Sequence, residues 1–262
     1  MRGRSVQRLD QFYSAPDLAE SLARRLIARF GLPDALYVEP SAGQGAFLRP
    51  LQQEGLRFRA LDLEPKAAGI EKGDFLLPND LFSSTSPRTI TLGNPPFGKN
   101  SSLAVKFFNQ AAQFSDYIAF ILPKTFRKDS IHKRLDIFFH LVEDKDLPAN
   151  AFLKDGVPYD VPCCWQIWEK RVWAREKKMI PSVDHLIEYT IPSKADVAVR
   201  RVGFYAGRVI RENLHALSET PHYFVKEILP GTVERIERTD WTQKASQTAG
   251  SLSLSKAEIA LT

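Results

Sequence analysis

Between positions 15 and 30 the apolar residues Leu18, Leu22, Leu26 and Ile27 are separated by alanine, arginine and glutamate. That spacing gathers them on one helical face and predicts a helix over 15–30. Pro16 with Asp17 suits its first turn, and Gly31 with Pro33 beyond suits its end. The pattern then shortens. Ala35-Leu36-Tyr37-Val38-Glu39 is an apolar run of strand length, stopped by the small-residue turn Pro40-Ser41-Ala42-Gly43-Gln44-Gly45. A helix is predicted over 46–54, and further strands over 58–63, 89–92, 117–122 and 161–168. The strand at 58–63 closes on Glu64-Pro65, the next on Gly93-Asn94-Pro95-Pro96, and the third on Pro123. A helix over 103–114 carries Val105, Phe108, Ala111 and Ala112 on its apolar side. Strands alternating with helices predict a mostly parallel sheet with helices on both faces. Ligands of such sheets bind at the carboxyl ends of the strands, where Glu39, Asp62 and Asn94 fall.

After Lys170 the character changes. Residues 171–178 are charged, short strands are predicted near 188–191 and 196–202, and 245–254 is a Ser-, Thr- and Ala-rich loop. This divides the chain into 1–171 and a small α+β extension, 172–262. The 44% hydrophobic content over 262 residues sustains a core and excludes global disorder. Lysine and arginine number 36 against 31 acids, a net +5 that permits a polyanionic partner without requiring one. The two cysteines, Cys163 and Cys164, are adjacent and point to opposite faces of a strand, so they read as buried thiols rather than a disulfide or zinc site. A reducing, cytoplasmic setting follows. Trp165 and Trp168 on the same strand read as core. The five histidines lack metal-ligand spacing, so no metal is expected. No apolar run reaches the ~18 residues of a membrane span, and no signal-peptide core follows Met1-Arg2-Gly3-Arg4, so no membrane partner is expected.

The strongest chemical signal is Asn94-Pro95-Pro96-Phe97 directly after a strand. An aromatic amine is a poor nucleophile because its lone pair is delocalised into the ring. Two acceptors on its N–H bonds, the Asn94 side-chain oxygen and the Pro95 carbonyl, draw it toward tetrahedral geometry and free the lone pair to attack a methyl group. That is positioning and electrostatics rather than acid–base work. The prolines stiffen the turn and add no N–H donors. Phe97 offers a flat face to the ring. A second signal is the Gly-x-Gly turn after Glu39, where glycines admit close backbone approach to a ligand. It lacks the full dinucleotide fingerprint and the lysine of a triphosphate loop. Glu39 suits a cationic or amine-bearing ligand, and Asp62 at the second strand end suits ribose hydroxyls. Gly73-Asp74-Phe75 places an acceptor and a ring face together.

In this order, Glu39-Pro40-Ser41-Ala42-Gly43-Gln44-Gly45-Ala46-Phe47-Leu48, Asp62, Gly73-Asp74-Phe75 and Asn94-Pro95-Pro96-Phe97 resemble the class I S-adenosyl-L-methionine-dependent methyltransferases that modify amino groups. They look most like the N6-adenine DNA methyltransferases whose cofactor motifs come first, and Asp10-Gln11-Phe12-Tyr13-Ser14-Ala15-Pro16 is similar to that group's N-terminal motif. The likeness covers roughly residues 10–170. It implies a Rossmann-like, mostly parallel seven-stranded sheet and S-adenosyl-L-methionine as cofactor. It also implies methyl transfer to the N6 of adenine in nucleic acid, DNA rather than RNA. By the same resemblance Phe12, Tyr13 and Ser14 contact the methionine end. Glu39, Pro40, Ser41, Gly43 and Gly45 line the cofactor loop, Asp62 and Leu63 lie at the ribose, and Asp74 and Phe75 hold the cofactor's adenine. Asn94, which also borders the cofactor, holds the target amine with Pro95, Pro96 and Phe97.

The family's base-stacking aromatic matches Phe152 best and Tyr159 second, although Phe152 reads equally as core. Lys99, Lys124 and Arg127 follow strand ends and suit backbone phosphate or plain solvent. Arg200 and Arg201 open a basic, aromatic-interleaved run that suits nucleic acid or a solvated strand edge. The family usually carries a larger recognition region than 172–262 supplies. Methyl transfer to an amine of RNA adenine or guanine, or to a protein glutamine amide, therefore stays open, as does an idle nucleic-acid-binding module.

Overall fold

A computed structural model of the chain describes residues 13–30, 34–77, 88–149, 151–154, 157–176, 184–248 and 251–260. Two compact units divide it, Met1–Glu176 and Lys177–Thr262.

The first unit runs β1 (Tyr13–Ser14), α1 (Pro16–Phe30), β2 (Leu36–Glu39), α2 (Leu48–Gln53), β3 (Phe58–Asp62), β4 (Glu71–Lys72) and β5 (Thr89–Gly93). It continues with α3 (Ser102–Ala111), β6 (Tyr117–Pro123), α4 (Asp129–His132), β7 (Phe139–Asp146), β8 (Phe152–Lys154), β9 (Val157–Tyr159) and β10 (Cys163–Lys170). Seven strands form one sheet in the order β4-β3-β2-β5-β6-β10-β7. From β4 to β6 every pair is parallel, and β10 runs antiparallel to both β6 and β7. The small sheet β1-β8-β9 stands apart.

The central strands read as unbroken apolar runs because both of their faces are covered. Along β6, Ala119 and Ile121 join the core that holds Leu22, Leu26 and Leu51 of α1 and α2. Ile118, Phe120 and Leu122 face the other way, onto Phe108 and Ala111 of α3. This is the period-two alternation of a strand expressed as two cores. Cys163 and Cys164 split between the same two cores and are free thiols. Burial pushes both thiols up, that of Cys164 to about 12, so neither is a nucleophile at ordinary pH.

Strand β7 is absent from the sequence expectation. Its stretch Glu143-Asp144-Lys145-Asp146 is polar because β7 is an edge, and charged edges resist pairing with other chains.

In the second unit an antiparallel sheet has the order β11 (Ile187–Thr190), β14 (His222–Glu227), β12 (Val197–Arg200) and β13 (Val209–Ile210). Helices α5 (Thr232–Arg238), α6 (Thr242–Ala245) and α7 (Lys256–Ala260) follow it. Its core joins Val197, Val199 and Val225 to Ile236, Trp241 and Ile259. Of the expected loop at 245–254, Ala245 closes α6 and Ser253 bridges to Val202. Among the described residues no helix is long and apolar enough to cross a membrane.

Candidate active site

The chain leaves β2 outward to β3 and β4, then returns to β5 on the other side of β2. The strand ends splay at such a reversal and leave a crevice. Here the crevice is a cleft of about 250 Å³ within the first unit. Glu39 ends β2, Asp62 ends β3, and Asn94 follows the last residue of β5. All three line the cleft, together with Ser14, the Pro40–Gly43 turn, Leu63, Asp74, Phe75 and the Asn94–Phe97 turn.

Asp62 organises the glycine turn. Its Oδ2 accepts from the Gly43 N–H at 2.7 Å and its Oδ1 from the Glu64 N–H at 2.8 Å. Gly43 (φ 52) and Gly45 (φ 76) take the left-handed region that a side chain would resist. The carboxylate thus fixes the turn while bordering the cleft.

Glu39 is only 2% exposed, and its Oε2 has no hydrogen-bond partner among the described residues. Burial, and secondarily the negative charge of Asp62, hold its pKa well above the ordinary carboxylate range. The Ser14 hydroxyl is buried too, with no hydrogen-bond partner among the described residues. Two orphaned polar atoms beside one cleft suit a polar ligand that satisfies them.

Gly93 has a φ of 142, and a Cβ there would stand 3.3 Å from Glu39 Cγ. Gly93→Ala is expected to strain the strand end and displace Glu39, lowering the melting temperature by roughly 3–10 °C. A thermal melt equal to wild type would contradict this packing.

The Asn94 turn is held from both sides. Ser41 Oγ donates to the Asn94 carbonyl at 3.2 Å, tying the two cleft loops together. Asn94 Oδ1 is buried. The Phe97 carbonyl accepts from the N–H groups of Leu103 (3.0 Å) and Ala104 (3.2 Å), so the start of α3 anchors the turn. Beyond it, Gly98 (φ 67), Asn100 (φ 53) and Ser101 (φ 59) are all left-handed, a costly conformation outside glycine. Ser101 Oγ and Thr125 Oγ1 meet at 2.6 Å and brace it.

The remaining candidates separate. Phe75 is 1% exposed and packs on Phe107, 5.2 Å between ring centres, at the wall of the cleft. Asp74 Oδ1 accepts from the Leu76 N–H. Phe152 is fully buried and meets Phe97 edge-on at 6.4 Å, so of its two readings the structure gives core. Tyr159, its cross-strand partner, is 42% exposed. Lys99 is exposed. Lys124 pairs with Asp146 at 3.0 Å, and Arg127 with Asp144 and Asp146. Both cations are therefore already held by carboxylates of β7, the strand that sequence patterning missed. Arg200 and Arg201 belong to the second unit. Phe12 lies outside the described residues, and Tyr13 sits in β1 opposite Leu153. Phe47 and Phe107 also line the cleft, although nothing in their local pattern distinguishes them from core. Among the described residues no group of three or more histidines, cysteines or acids is placed to hold a metal ion.

No protein-family model matches the chain, and no curated protein matches it in sequence. Its fold does have solved counterparts. A putative RNA methyltransferase from Pyrococcus horikoshii superposes with a TM-score of 0.50 at 14% identity, over 65% of this chain and 91% of that one. Also similar are magnesium protoporphyrin IX methyltransferase from Synechocystis, solved with S-adenosylmethionine bound (TM-score 0.45, 13% identity, 60% and 79% coverage), and a type I restriction-modification methyltransferase subunit from Streptococcus thermophilus (0.46, 16%, 63% and 46%). The first unit has the Rossmann-like fold of the Pyrococcus horikoshii protein, and a second, smaller sheet is an extension.

Proposed function

We propose that the chain is an S-adenosyl-L-methionine-dependent methyltransferase acting on the N6 amine of adenine in nucleic acid, DNA before RNA. The observation that carries this reading is the position of Asn94-Pro95-Pro96-Phe97. It stands at the sheet reversal, in one cleft with the Gly43 turn, and is tied to that turn through Ser41.

The cofactor, when bound, supplies an electrophilic methyl on a cationic sulfonium. The residues of the cleft fit it: Glu39 and Ser14 carry the orphaned polar atoms for its charged methionine end. Asp62 and Leu63 would hold its ribose, and Asp74 with Phe75 its adenine ring; all four line the cleft. Asn94 Oδ1 and the Pro95 carbonyl accept hydrogen bonds from the two N–H groups of the target amine and so concentrate its lone pair on nitrogen. Phe97 packs the base, and the rigid turn holds the amine in line. After transfer the spare proton leaves to solvent, so no strong base is needed. In a duplex the base must first leave the stack, at a cost of a few kcal/mol.

Filter-bound methyl label tests the acceptor class. Purified protein with methyl-labelled cofactor is offered DNA, RNA and protein extract separately. Label in DNA is expected. Label confined to RNA or to protein would replace the acceptor, and label in none would favour the idle binding module.

A further inference from the structure

In the second unit the connection between β12 and β13 carries the run Arg200-Arg201-Val202-Gly203-Phe204-Tyr205-Ala206-Gly207-Arg208. It is built as a rigid turn. The Gly207 N–H donates to the Arg200 carbonyl at 2.7 Å, the Arg200 N–H to Arg208 at 2.9 Å, and the Ala206 N–H to Gly203 at 2.9 Å. The Gly203 N–H reaches the Leu252 carbonyl at 2.9 Å. Gly207 (φ 96) lies against buried Trp241, where a Cβ would come within 2.0 Å of the indole. The backbone is therefore fixed from below.

At the tip of this fixed turn two rings face outward. Phe204 is 84% exposed and Tyr205 56% exposed, set edge to face with 5.2 Å between ring centres. Arg208 stands 5.8 Å from the Tyr205 ring centre. From Val197 to Ile210 the only charged residues are Arg200, Arg201 and Arg208. A single exposed aromatic is unremarkable, but a braced pair with Arg208 beside one ring, and Arg200 and Arg201 close by in the chain, offers stacking faces next to positive charge. Bases stack on such rings irrespective of sequence, and guanidinium groups attract the phosphates between them.

We infer that the 203–208 turn of the second unit is a docking surface for unstacked bases of single-stranded nucleic acid. The inference deepens the proposed function and rests on it for the identity of the polymer. The turn would grip the strand while the first unit performs the chemistry.

Fluorescence anisotropy of a labelled, adenine-containing single-stranded 20-nucleotide DNA oligonucleotide, titrated with the full chain, tests it. The double variant Phe204→Ala/Tyr205→Ala is expected to weaken binding about ten-fold or more, with the affinity for S-adenosylmethionine unchanged. Phe204→Trp should retain binding, since a larger ring stacks as well. Equal affinity of the double variant and wild type would overturn the inference, as would no binding by wild type. Methyl transfer measured in parallel separates the two claims. Transfer with a silent double variant removes the docking surface and keeps the reaction, whereas ring-dependent binding without transfer removes the reaction and keeps the surface.

Discussion

Asn94→Ala is expected to lower methyl transfer by about 10²–10³-fold while affecting cofactor binding far less. The side-chain oxygen is one of two acceptors that can rehybridise an aromatic amine, and the other, the Pro95 carbonyl, belongs to the backbone and survives the substitution. The loss should fall on kcat, because the interaction strengthens as the lone pair localises in the transition state. The turn itself should persist. The Asn94 carbonyl bond to Ser41, the Phe97 carbonyl bonds to α3 and the brace at Thr125 are all independent of the Asn94 side chain. Single-turnover kinetics beside calorimetric cofactor binding checks this. A variant that keeps its rate, or that loses binding and rate together, would contradict the role given to Asn94.

Glu39→Gln is expected to make the ligand-free protein more stable at neutral pH and the cofactor weaker by about 10- to 100-fold. The sign follows from burial. Desolvation and the neighbouring Asp62 raise the folded-state pKa of Glu39 above its unfolded value. The unfolded chain gives up this proton first, so stability falls as pH rises from the ordinary glutamate range toward the folded pKa. Glutamine is exempt from that loss. The gain in melting temperature over wild type should therefore be small at pH 4 and grow as pH rises from there. A bound cation reverses the preference, since a positive charge beside the buried carboxylate favours its ionised form. The same substitution should thus lose affinity while gaining stability. Thermal melts across pH, with and without S-adenosylmethionine, read both effects. A glutamine variant less stable than wild type at pH 8, or one that binds the cofactor equally well, would contradict this account.

The parallel sheet was legible because β2, β5 and β6 are buried on both faces and announce themselves as apolar runs ended by turn residues. The cleft loops were legible for a different reason: small residues, prolines and acids at strand ends stand out against those runs. What patterning lost lies at the edges. Strand β7 is polar because it borders solvent, and missing it hid the carboxylates that hold Lys124 and Arg127. Phe152 shows the limit for aromatics. A core ring and a stacking ring look alike in sequence, and only the burial of β8 against Phe97 separates them. The contact between Gly93 and Glu39 joins the ends of two strands 54 residues apart through side-chain packing, which no local window contains.

The most direct test of the central claim is mass spectrometry of nucleosides from DNA incubated with the protein and S-adenosylmethionine, with Asn94→Ala beside it. N6-methyladenine formed by wild type and absent with the variant is the result the account predicts. Methylation at another position of the base, or N6-methyladenine formed equally by Asn94→Ala, would contradict it.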